Sequence, residues 1–212
     1  MFSRIHEPDD QVYSKLSLQD LQGIVSTVHK SYIVADQTIK DTLWLNTPYA
    51  NFYHQDLYNC AVEFFIFRAC QQGIINMVPS YRPNKVSNCH HVELSNANFI
   101  LTFSAVQSCT QVPRRSWFRK ELACAGQYNL FINNELEQNF QYGIITHKRY
   151  LSTGGFPIPK VQLGIPDVEL GRWHDLFNLN DIGLHKENVE PSADEIEDFG
   201  ISIKEIGQEH LG

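Results

Sequence analysis

Positive charge is scarce in this chain. Lys and Arg number 17 against 24 Asp and Glu, a formal net charge of −7 over 212 residues. Such a balance argues against broad gripping of a nucleic-acid backbone, because that affinity comes from clustered Lys and Arg releasing counterions. Long apolar runs are missing as well. No stretch approaches the roughly 20 residues needed to cross a bilayer, and Glu7, Pro8, Asp9 and Asp10 stand where a secretory leader needs a hydrophobic run. Cysteine is odd in number: Cys60, Cys70, Cys89, Cys109 and Cys124 are widely spaced, with no CxxC. That spacing disfavours a disulfide framework and points to a reducing cytoplasm. HExxH and G-x-S-x-G are absent. Gly154 and Gly155 sit beside Pro157 and Pro159 with no Lys-Ser or Lys-Thr after them, so they predict a turn and no nucleotide loop. No cofactor is expected.

What charge there is lies unevenly. Residues 186–212 hold two basic and eight acidic residues, a net −6, which leaves −1 of the total −7 for residues 1–185. The organisation expected is a single α+β domain over 1–185, helical in 1–80 and strand-rich in 90–185, followed by an acidic C-terminal tail. Within that tail Ser192 and Glu195 form a capping box, and Ile196, Phe199, Ile203 and Ile206 recur at spacings of three, four and three. Four apolar anchors among carboxylates suit a docking segment better than a solvated, disordered tail.

In the body, Ser17 and Asp20 resemble a capping box ahead of Leu18, Leu21, Val25 and Val28 at helical spacing, which predicts a first helix from about 18 into the thirties. Residues 38–45 are either its end or a helix of their own. Residues 56–70 are apolar on almost every side, which predicts a central helix stopped at Gly73. After Pro79 the period drops to two. Strands are expected at 91–94, 98–106, 116–122, 127–132, 141–150 and 160–165, forming a mostly antiparallel sheet packed against the N-terminal helices.

Three groups of residues could carry function. Cys89, His91 and Glu93 are the densest set of metal-ligand types, and alternate residues on a strand share a face, but a zinc site needs three or four ligands and no spacing supplies the rest. Arg114, Arg115, Arg119 and Lys120, interleaved with Trp117, could stack bases and hold phosphates, or receive the acidic tail. On a strand, Arg115, Trp117 and Arg119 would share one face. The tail residues Glu195, Ile196, Asp198, Phe199, Ile203 and Ile206 form the third. A triad of His147, Asp167 and Ser152 or Ser104 can be drawn but has no supporting spacing. Glu63, in an apolar run, calls for a partner from elsewhere in the fold, since Arg68 is five residues away.

The segments Gln127-Tyr-Asn-Leu-Phe131, Tyr142-Gly-Ile-Ile-Thr-His147 and Val161-Gln-Leu-Gly-Ile-Pro166 resemble uncharacterised prokaryotic proteins of mobile-element or prophage-type neighbourhoods, some encoded beside ImmA/IrrE-type zinc peptidases. The resemblance carries no catalytic residue onto this chain and implies a regulatory or antagonist role. Joined to the tail, it leads to the expectation of a non-enzymatic antitoxin, immunity or regulatory protein. Its partner would be a toxin, peptidase or nuclease, bound through the acidic-apolar C-terminal segment; a homodimer is compatible with this, and membrane association is not expected. The alternatives are a metal-dependent hydrolase or nuclease built on Cys89, His91 and Glu93, and a nucleic-acid binder built on the basic patch from Arg114 to Lys120.

Overall fold

A computed structural model describes residues 5–6, 10–84, 90–128, 140–150 and 158–182, with the backbone alone for 5–6, 10–11 and 127–128. After a short strand β1 (Ile5–His6) and a one-turn helix α1 (Asp10–Tyr13), the chain enters the long helix α2 (Leu18–Asp41). Ser17 caps it from an extended backbone, its Oγ accepting the Asp20 N–H at 3.0 Å and donating to the Asp20 carboxylate at 2.6 Å. Asp20 also accepts the Asn76 N–H at 2.6 Å, so the cap ties the start of α2 to the loop beyond the next helix. Leu21, Val25 and Val28 are buried, but Leu18, in the first turn, faces solvent. Residues 38–41 are the last turn of α2.

Helix α3 (His54–Gln71) ends in a Schellman motif. Ile74 N–H bonds Ala69 O at 2.9 Å and Gly73 N–H bonds Cys70 O at 3.1 Å, with Gly73 at φ 73°, a left-handed conformation that costs glycine nothing.

The strands β2 (Val78–Pro83), β3 (His90–Ser95), β4 (Phe99–Ala105), β5 (Gln141–Lys148), β6 (Lys160–Pro166) and β7 (Trp173–Asn178) join β1 in one sheet of order β1-β7-β6-β5-β4-β3-β2. Four of its six pairings are antiparallel; β4–β5 and β1–β7 are parallel. The architecture is α+β, with a mostly antiparallel sheet. Two prolines, Pro79 and Pro83, lie in β2 at the sheet edge, where a missing N–H interrupts no ladder.

Residues 116–122 are not a strand. They open helix α4 (Trp117–Tyr128), and the reason is topological: β4 and β5 run parallel side by side, so the chain must return across one face of the sheet. The strand expected at 127–132 meets the same correction at its start, since 127 and 128 close α4; residues 129–132 lie outside the described residues.

Three layers result. Phe99, Leu101 and Phe103 of β4 and Ile145 of β5 face α2 and α3, in a core with Ile24, Val28, Tyr32, Val62 and Phe65. Alternate residues Tyr142 and Ile144 face the other way, onto Ala123 of α4 with Leu170, Trp173 and Leu176.

Candidate interaction surface

The tail residues Glu195, Ile196, Asp198, Phe199, Ile203 and Ile206, together with Cys89 and Ser152, lie outside the described residues. His91 and Glu93 do share a face of β3, as alternation requires. His91 Nε2 lies 2.9 Å from Glu93 Oε1, its Nδ1 2.9 Å from Asn84 Oδ1, and its ring stacks on Phe118 of α4 with centroids 3.6 Å apart. Arg82 approaches the other Glu93 oxygen at 3.5 Å. Both ring nitrogens are therefore engaged. Among the described residues, no group of three or more His, Cys, Asp or Glu could hold a metal ion.

The helix divides the basic patch. Arg114, Arg115, Trp117 and Lys120 stay on the surface, Lys120 pairing with Glu169 at 3.5 Å. Arg119 turns inward and donates to Phe103 O at 3.3 Å and to Arg114 O at 3.0 Å.

That inward turn answers a defect in the sheet. Pairing of β3 with β4 stops at Glu93 opposite Thr102, whereas β2 and β3 stay paired out to Pro83 opposite His90, so the β2–β3 hairpin parts from β4. Backbone groups left open by the split need other partners. Gln55, Asn59 and Glu63, spaced by four on one stripe of α3, provide them. Gln55 donates to Ala105 O at 2.9 Å, Asn59 Oδ1 accepts the Ala105 N–H at 2.9 Å, and the Glu63 carboxylate accepts from the Val92 N–H. Asn59 also donates to Glu63 at 3.1 Å. From the opposite face Arg119 takes Phe103 O. Burial raises the Glu63 carboxyl to about 7, although Asn59, Arg119 and the Val92 N–H all pull it down. The partner from elsewhere that Glu63 called for is thus the open strand edge, with the Arg119 charge behind it.

No triad assembles at His147. Its Nδ1 bonds the Tyr32 hydroxyl at 2.9 Å, and burial lowers its pKa to about 3, so the ring is neutral. Ser104, opposite Thr146, belongs to the other face of the sheet, and Asp167 accepts the Gly171 N–H at 2.8 Å in a turn beyond the far end of β6. The Tyr32 ring stacks on Tyr58, whose hydroxyl donates to Asp36, and Arg149 approaches Asp36 at 3.2 Å. These buried groups bind α2, α3 and the end of β5 together.

The surface that stands out is the connection between α2 and α3. Residues 42–55 contain no Asp, Glu, Lys or Arg. They expose Leu43 (89%), Trp44 (59%), Tyr49 (86%), Phe52 (68%) and Tyr53 (50%) side by side in sequence, anchored by buried Leu45 and Ala50. The display is held rigidly. Thr47 Oγ1 donates to Trp44 O at 2.8 Å, His54 Nε2 lies 2.9 Å from Leu45 O, a 3-10 turn spans Pro48–Ala50, and the Tyr53 ring contacts both Phe52 (4.1 Å) and Trp44 (6.4 Å).

Against known families, curated proteins and solved structures, the chain matches none. The aromatic connection escaped the sequence argument because periodicity assigns apolar residues to buried faces. Its signal was the uncharged run itself, flanked by Asp41 and Asp56.

Proposed function

We propose that this protein acts by binding a protein partner, as an antitoxin, immunity or regulatory protein does, in a prokaryotic cytoplasm. The observation that supports it is the preorganised aromatic connection between α2 and α3. Contiguous exposed apolar surface is costly to keep in water and marks interaction sites. Trp and Tyr are the side chains that most often dominate interface energies, since they bury large area while few torsions freeze. The acidic tail adds steering: carboxylates speed encounter with a basic partner, and its apolar row holds what they attract. Nothing in this arrangement requires a reaction.

The test is affinity purification of the tagged full chain beside a Trp44→Ser, Phe52→Ser double variant. A protein recovered in near-stoichiometric amount with the wild type and lost from the variant is expected. Both side chains are solvent-facing, so the variant should keep the wild-type circular dichroism. If no protein co-purifies at that level, or the variant retains it equally, the proposal fails.

A further inference from the structure

Lys148 on β5 stands directly opposite Lys160 on β6. Like charges in register across an antiparallel pair repel, and a sheet gains nothing from them. Among the described residues neither ammonium has an ion-pair partner. Both lie within electrostatic reach of Cys109, but burial raises that thiol's pKa, so it supplies no negative charge. The neighbouring Arg149 is already committed to Asp36.

Lys160 also lines a cleft of about 380 Å³ with Tyr150, Ile158, Pro159, Asn178 and Asn180. Its polar walls are stiff. Asn180 Oδ1 accepts the Val161 N–H at 2.8 Å and its Nδ2 donates to Pro159 O at 2.9 Å, while Asn178 donates to Asp181 at 2.6 Å. Tyr150 and Ile158 are exposed apolar surfaces at the rim. One step inward on the same face, Thr146 is paired with Gln162, and both are wholly buried. Thr146 Oγ1 and both amide atoms of Gln162 have no hydrogen-bond partner. Buried polar atoms are rarely left unmet in a native structure, and three in one cross-strand pair mark a place where something else bonds them.

We propose that this cleft binds a small phosphate monoester, with its dianion held between Lys148 and Lys160 and its organic part against Tyr150 and Ile158. Charge selects the class. Two ammonium groups balance a dianion, whereas a single carboxylate would leave one lysine uncompensated, and lysine serves phosphate as a point charge. Size limits the organic part, since about 380 Å³ lies near the lower end of the range of ligand pockets. A pentose phosphate or mononucleotide is of the right scale. The site lies on the α4 side of the sheet and does not depend on the partner-binding surface.

The full chain is titrated by calorimetry with ribose 5-phosphate, AMP, inorganic phosphate and adenosine, and the titrations are repeated with Lys148→Gln and Lys160→Glu. Saturable one-to-one binding of at least one monoester is expected, roughly tenfold or more tighter than adenosine or inorganic phosphate, and weakened by tenfold or more in each variant. Lys160→Glu should also raise the melting temperature of the unliganded chain, because it turns a repulsion into an attraction. Absence of saturable monoester binding, inorganic phosphate binding as tightly as the esters, variants that bind like the wild type, or a lower melting temperature for Lys160→Glu each overturns the proposal.

Discussion

Glu63 shows how a single carboxyl can be worth more to the fold neutral than charged. Its pKa rises on folding from the ordinary 4.5 to about 7. The stability linked to it is therefore complete below about 4.5 and lost as pH climbs through about 7. Wild type compared with Glu63→Gln by urea unfolding should lose relative stability between pH 5 and 8, by on the order of 2–3 kcal/mol at most; a difference independent of pH would show that Glu63 is charged throughout. His147 and His29 act in the opposite sense. Burial lowers them to about 3 and about 4, so their contribution is present above the ordinary 6.5 and disappears as pH falls. At Gly164 the constraint is steric, for a Cβ there would land inside the Trp173 ring. Gly164→Ala should lower stability by about 1–3 kcal/mol, the usual cost of overpacking, measurable by thermal melting.

Among the elements, α3 does the most unusual work. A helix normally meets a sheet through apolar side chains, yet this one offers a polar stripe to an opened strand edge. Asn59 sits at the centre of that stripe, joined to both Ala105 and Glu63. Asn59→Ala leaves the Ala105 N–H unmet and should cost about 1–3 kcal/mol. Hydrogen exchange should then quicken first at the Ala105 and Val92 amides; uniform quickening across the sheet would mean the stripe is not a local seal. The polar stripe was half legible, because Glu63 in an apolar run demands a partner, but the identity of that partner depends on where β3 leaves β4. Helix α4 was illegible for another reason. Arg, Trp, Phe and Lys over residues 115–120 alternate as a strand would, and only the parallel pairing of β4 with β5 demands a crossover there.

At the scale of the whole molecule, the body forms three layers with a rigid aromatic display at one end and most of the charge imbalance in residues 186–212. Truncation after His185 should leave the melting temperature of the body unchanged while slowing partner association, an effect that salt should erase in the full chain. A large fall in melting temperature on truncation would instead make the tail part of the fold. What the sequence determined unaided were the features set by neighbours along the chain: the Ser17 cap, the Gly73 stop, the helical stripe through Val25 and Val28, the alternation of β3 to β6. Each depends on hydrogen bonds and side-chain directions within a few residues. Tertiary structure alone decided the strand order, the split between β3 and β4, the opposition of Lys148 to Lys160 and the exposure of Trp44 and Phe52. Those depend on which distant segments pack together, and no local period records whether an apolar side chain finds a cover.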